Sequence, residues 1–403
     1  MPWGFQQSGI IGGTLVLFSV ALLSFETARI LLVSQKIYFQ HTGEVKGYPE
    51  IASAALGPVW HYVIQFTTVI SCLGGCTGYI IFFGQTLGQA FSLPAETVIL
   101  IATIPLILLS WIRSFHELTV VTAFGVVALI LSVIILLIDG SSSLTNMENT
   151  PLVETHTILN FVGSATFLFT IHYCVLSIGA EWLRNKPWLG QDSAGVDSAG
   201  SSAFVRLEKS IAASYFLAFI VIFIVGSGGY VMYRNSALVR DVHGIVVGGC
   251  EQPVCQNVIL NISPGILRNI VGVTMSLVIM FSYLVILAPA REHIENTMLI
   301  LLKPSTTELR IISQNILRTI LVLLNVIIAI RAPYFGNMLS AVGGLTDAFL
   351  CFVMPPLIYR AALHGEMTAS QNVLYLLLVA GGFLVILYTL YHVAELSMTT
   401  IVG

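Results

Sequence analysis

Gly163 to Trp182 reads GSATFLFTIHYCVLSIGAEW, an apolar run interrupted by Thr170, His172, Tyr173 and Ser177. In hydrocarbon each of these groups is costly unless it is paired or put to use. A helix that breaks at this point has a use for them. Where the ladder stops, carbonyls near Phe169–Ile171 become open to an ammonium group, and N–H groups that start the second half-helix become open to a carboxylate. A zwitterion presents both. Such breaks are tolerated at membrane depth only where they line a cavity, and carriers place their substrate sites at them.

Other ionisable groups at depth are few. Glu26 and Arg29, in SFETARIL, stand at i and i+3 and can pair on one helix face. Asp347, in GGLTDAFL, is the remaining deep carboxylate. Together with His172, Glu26 and Asp347 are the candidates for coupling to an ion. Each has a structural alternative: an ion pair for Glu26, helix packing for Asp347, a bond to a neighbouring helix for His172. Thr170 can likewise bond back to its own helix. Tyr79 is a phenol that needs a partner once buried. The charged patch REHIE, Arg291–Glu295, reads as an anchor at a helix end. Gly74, Gly78, Gly226, Gly228, Gly229, Gly343 and Gly344 read as close-packing positions.

Enzymatic signatures are absent. HELTV at His116 lacks the second histidine of a zinc-hydrolase helix, and there is no phosphate loop, dinucleotide fingerprint or nucleophile elbow. The reading is of no enzyme, no metal site and no cofactor, with co-transported H+ or Na+ as the only companions of a substrate. Of six cysteines, Cys250 and Cys255 in GGCEQPVCQ are a disulfide candidate. The other four lie in spans and read as small buried hydrophobes. Asn261 opens an NIS glycosylation sequon.

The elements that must position these residues are membrane helices. Of the 403 residues 56% are hydrophobic and 9% charged, with a mean hydropathy of +0.90. A soluble domain carries about a quarter charged residues, so a water-covered surface is excluded. The net charge of -3 makes no case for nucleic acid. Apolar runs fall at about 10–33, 62–91, 97–112, 118–138, 157–183, 211–232, 266–287, 311–330, 335–357 and 372–391, most near the ~20 residues that cross a bilayer. They form one transporter domain over 1–403, about ten full spans plus an N-terminal half-helix. Alternate connections hold 11 Lys and Arg against 3 on the other side, which makes the first set cytoplasmic. The 187–205 segment, with its repeated DSAG, is then a flexible cytoplasmic loop. The 233–265 loop is extracytoplasmic and carries Cys250, Cys255 and Asn261, where oxidising conditions permit a disulfide. The acidic 139–156 loop lies on that side too.

Six stretches in order resemble the amino acid/auxin permeases. They are PWGFQQSGIIGG, SFETARILLVSQ, GCTGYIIFFGQ, GSATFLFTIHYCVLSIGAEW, LAPAREHIE and RAPYFGNMLSAVGGLTDAFLCFVMPPLIYR. The resemblance covers nearly the whole chain. It implies an all-α membrane protein with the inverted five-helix repeat of the leucine-transporter type, in which helices one and six are broken at the site. By that likeness Pro2, Trp3, Gly4 and Phe5 match the first break, and Phe169, Thr170, Ile171 and His172 the second. Tyr79 and Ser282 would face the same cavity. Two departures stand out. The family's glycine-rich run before the proline is missing, so half of helix one is expected to be lacking, and Glu26 sits where an aromatic or neutral residue is usual.

The expected function is secondary active transport of small or neutral amino acids by alternating access, with protons as the favoured coupling ion. The alternative is an amino-acid-sensing receptor on a carrier fold. The partners are the substrate and the bilayer, with no nucleic acid, and nothing in the sequence sets an oligomeric state. The membrane is expected to be the plasma membrane or a vacuolar or lysosomal one.

Overall fold

The computed structural model describes residues 1–112, 118–141, 151–154, 157–184, 196–240, 244–303, 305–332, 334–363 and 367–402. Among these the helices are α1 Pro2–Ser8, α2 Ile10–Thr42, α3 Tyr48–Leu56, α4 Val59–Phe91, α5 Ala95–Ser110, α6 Leu118–Ser141, α7 Ile158–Phe169, α8 His172–Arg184, α9 Val196–Tyr233, α10 Ile266–Leu302, α11 Thr307–Arg331, α12 Phe335–Val342, α13 Met354–Ala362 and α14 Ala369–Val402. Two π-helical stretches, Gly343–Asp347 and Phe349–Val353, join α12 to α13. Among the described residues eight helical stretches are long and apolar enough to cross a membrane, and Ala95–Ser110 and Gly125–Ser141 are shorter apolar helices. This is an all-α integral membrane protein.

The span expected at 157–183 is two helices parted by Thr170 and Ile171, where the sequence placed its break. At the N-terminus the interruption falls later than expected. Pro2 to Phe5 are helical, because proline suits the first turn of a helix, and the chain turns at Gly9 with φ 73°. The segment between α2 and α4 contains the short helix α3, held by the Tyr48 hydroxyl on the Leu350 carbonyl at 2.6 Å. Helix α9 begins at Val196, inside the 187–205 loop. Residues 187–195 of that loop, 142–150 and 155–156 of the acidic loop, and His116 lie outside the described residues.

The chain divides into two compact units. The first comprises Met1–Thr14, Val69–Phe161 and Phe223–Val342. Its core joins α4, α5, α10 and α11 through Cys76, Ile80, Ile99, Tyr283, Leu287 and Val322. A polar group is sealed inside it: Asn325 donates to the Tyr283 hydroxyl at 3.1 Å and accepts from Thr77 at 3.2 Å. Arg291 and Glu295 are no surface anchor. Helix α10 runs on to Leu302, which draws both into the core, 9% and 7% exposed. There Arg318 Nε meets Glu295 at 2.6 Å, Arg291 lies 3.8 Å from the same carboxylate, and Arg318 also donates to the Ser110 and Trp111 carbonyls at the end of α5. Those carbonyls carry the negative end of a helix dipole, which offsets the excess cation.

The 233–265 connection also lies in the first unit. Cys250 and Cys255 are joined as a disulfide. Asn261, the sequon residue, donates to the Pro253 carbonyl at 2.7 Å and accepts from the Cys255 N–H at 2.9 Å, so it braces the disulfide loop. Gln256 accepts from the Gly336 N–H at 2.7 Å and caps α12.

The second unit comprises Leu15–Thr68, Val162–Ile222 and Gly343–Gly403. It holds the interrupted helix from Val162 onward, most of α2, and the π-helical stretches. Gly343 packs directly on the Gly163 carbonyl of α7, where a Cβ would overlap main chain. Only glycine allows that approach.

Candidate functional site

The residues nominated in the sequence fall in both units. In the first, Phe5 is completely buried; its ring lies 5.6 Å from that of Phe161 and 6.3 Å from that of Phe223. Gly4 lies against the Phe161 ring, and Pro2 fills the space beside Gly229. Tyr79 is half-buried on α4 against the core cluster, and Ser282 bonds back to the Val278 carbonyl at 2.9 Å. The structure gathers Pro2, Gly4 and Phe5 into one aromatic-lined corner.

In the second unit Phe169, Thr170, Ile171 and His172 form the junction of α7 and α8, and main-chain and side-chain groups close it tightly. The Ile171 carbonyl accepts from the Cys174 and Val175 N–H groups at 2.9 and 2.8 Å, which starts α8. The Phe169 carbonyl, last of α7, accepts from the Tyr215 hydroxyl of α9 at 3.0 Å. Thr170 donates to the Thr166 carbonyl at 2.8 Å, the back-bond open to a helical threonine. A ligand ammonium approaching the Phe169 oxygen therefore has the Tyr215 phenol to displace.

His172 is completely buried. Its Nε2 lies 2.9 Å from Thr27 Oγ1 on α2, and its Nδ1 lies 2.9 Å from the Cys351 sulfur on the second π-helical stretch. The hydrogens follow from the neighbours. Thr27 spends its own proton on the Leu23 or Ser24 carbonyl, at 2.9 and 3.2 Å, so its oxygen accepts from His172 Nε2–H. That leaves Nδ1 to accept from the Cys351 thiol. His172 is thus assigned as the neutral Nε2–H tautomer.

The other ion-coupling candidates lie in the same unit. Glu26 takes both guanidinium bonds of Arg29, at 2.7 and 2.8 Å, and one from the Tyr375 hydroxyl at 3.0 Å. Asp347 is completely buried at the end of the first π-helical stretch, four residues before Cys351. Among the described residues no group of three or more His, Cys, Asp or Glu could hold a metal ion.

Sequence reasoning missed Ser24, Thr27, Tyr215 and Cys351. The first two sat in plain view beside Glu26 in SFETAR, one helical turn apart on a buried face. Cys351 is buried as expected, yet as a hydrogen-bonding thiol, and Cys174 is exposed rather than buried.

The family model for the transmembrane amino acid transporter protein matches residues 1–188 and 196–395. This chain belongs to that family. The amino acid transporter AVT1E of Arabidopsis thaliana is 21% identical over 395 residues, covering 95% of this chain and 67% of the relative. AVT3B of the same plant is 22% identical over 396 residues, covering 93% and 83%. A solved manganese transporter of Eremococcus coleocola aligns over 97% of this chain and 89% of its own at 10% identity and a TM-score of 0.44. As a member of the transmembrane amino acid transporter family the chain is an integral membrane transporter and not an enzyme.

Proposed function

We propose that this protein carries small or neutral amino acids by alternating access, driven by a proton gradient, with the α7–α8 interruption as the core of its substrate site. The observation that supports the reading is the interruption itself. Thr170 and Ile171 leave the helix about two-thirds of the way along a stretch, Ile158–Ser177, otherwise long and apolar enough to span a bilayer. A break there is costly in lipid, and a substrate with both an ammonium and a carboxylate gives it a use. Proton coupling is supported by Asp347, a buried carboxylate on a π-helical stretch, the kind of irregularity common at functional sites. Glu26 is the weaker candidate, since its oxygens are already taken by Arg29 and Tyr375.

The test is uptake of labelled neutral amino acids into proteoliposomes holding the full chain, under a pH gradient and separately under a sodium gradient. Accumulation is expected under the pH gradient alone. Accumulation only with sodium would reassign the ion. Binding with no accumulation under either gradient would overturn transport in favour of a sensor.

A further inference from the structure

Both sides of the interrupted helix are tied to a single turn of α2. The second half is held through His172, whose Nε2–H meets Thr27 Oγ1 at 2.9 Å. The first half is held at its last carbonyl by Tyr215, whose hydroxyl lies 3.0 Å from the Phe169 carbonyl oxygen and 3.3 Å from the Ser24 carbonyl oxygen. Thr27 itself reaches back to that Ser24 oxygen. The rings reinforce the arrangement: Tyr215 stacks on Phe169 with 6.0 Å between centroids, and Phe25, in the same turn of α2, meets Tyr215 edge-on at 5.9 Å. From the opposite side Cys351 touches both His172, at 2.9 Å, and Thr170, at 3.3 Å. Ser24, Thr27, His172 and Cys351 are completely buried and Tyr215 is 6% exposed, so water does not compete for these bonds.

One group in the turn is left over. The Ser24 hydroxyl is buried with no hydrogen-bond partner among the described residues. A buried orphan of this kind is destabilising. A turn built only for packing would place alanine there. A turn that exchanges partners as the break rearranges has use for a spare hydroxyl.

We propose that the Ser24–Thr27 turn of α2 is a clamp across the interrupted helix, in which Thr27, Tyr215 and Cys351 are positioning residues for Phe169–His172 and the Ser24 hydroxyl serves the rearranged state. The functional half of this inference rests on the reading that the interruption is the substrate site. The clamp itself rests only on the contacts, and two measurements keep the two apart.

The first is alkylation of Cys351 by N-ethylmaleimide in the full chain with Cys72, Cys76 and Cys174 changed to alanine. Loss of one clamp bond should speed labelling by about three- to tenfold in Thr27→Val and Tyr215→Phe, while Thr27→Ser, which keeps the hydroxyl, stays within about twofold of the parent. Equal labelling in all four chains overturns the clamp, whether or not the protein transports. If Thr27→Val does not yield a single gel-filtration peak, Tyr215→Phe alone decides.

The second is concentration-dependent uptake. Thr27→Val and Tyr215→Phe should raise the half-saturating concentration at least about threefold, again the worth of one bond. Ser24→Ala should melt no lower than the parent and still change the maximal rate. Variants that only melt lower, with half-saturation and rate unmoved, would reduce the clamp to a structural brace and overturn its positioning role. A parent chain that neither binds nor takes up amino acids would instead overturn the substrate-site reading.

Discussion

At the scale of single residues, His172 is a titratable side chain fully engaged by its neighbours. Both ring nitrogens are used, one toward Thr27 and one toward Cys351, and no face of the ring reaches solvent. Under the proposed function it acts through the position of α8, whose first residue it is. His172→Ala removes two bonds and leaves a hole. Uptake should fall more than about tenfold, or 1.4 kcal/mol, with the protein still inserted; near-normal uptake would return the residue to packing. The sequence marked His172 because a histidine in an apolar span is unusual. It could not show the partners, which lie 145 residues before and 179 residues after it. Ser24 and Thr27 escaped notice for a related reason: hydroxyls in membrane helices are common, and most bond back to their own helix as Thr14 and Ser34 do here.

At the scale of elements, two features set the geometry. The first is the contact of Gly343 with the Gly163 carbonyl, which brings the π-helical stretch within reach of α7 and so brings Cys351 to the junction. Gly343→Ala forces main chain apart, and overpacking of this kind costs about 1–3 kcal/mol. A lower melting temperature together with faster alkylation of Cys351 is expected; an unchanged melting curve would show that the contact relaxes freely. The second is the Arg291–Glu295–Arg318 group that ties α10 and α11 to the end of α5. Glu295→Ala strands two buried cations, and losing one member of a buried pair costs about 3–5 kcal/mol. Thermal unfolding in detergent should show the loss, and a shift too small to detect would mean that water reaches the site. Helix lengths were only partly legible. The apolar run of α10 stops near Leu287, but the helix continues to Leu302, because Arg318 of α11 pairs with Glu295 and Arg291 lies 3.8 Å from the same carboxylate.

For the whole molecule, the question is what drives the cycle. If Asp347 takes up the coupling proton, Asp347→Asn should abolish accumulation under a pH gradient while leaving exchange of labelled for unlabelled substrate within about twofold, since exchange needs no net proton movement and coupling contributes free energy only to net flux. Loss of both activities would assign Asp347 to the fold instead. Composition alone determined that this is a membrane protein of helices, because a chain with 9% charged residues has no means of covering a soluble surface. The order of its motifs determined the family, and the polar interruption after Phe169 determined where one helix breaks, since a break is written in a few neighbouring residues. Only the tertiary structure decided what closes that break. Tyr215, Thr27 and Cys351 come from three separate stretches of chain, and no local pattern of hydrophobicity records which buried hydroxyl or thiol will meet a given carbonyl or ring nitrogen once the helices have packed.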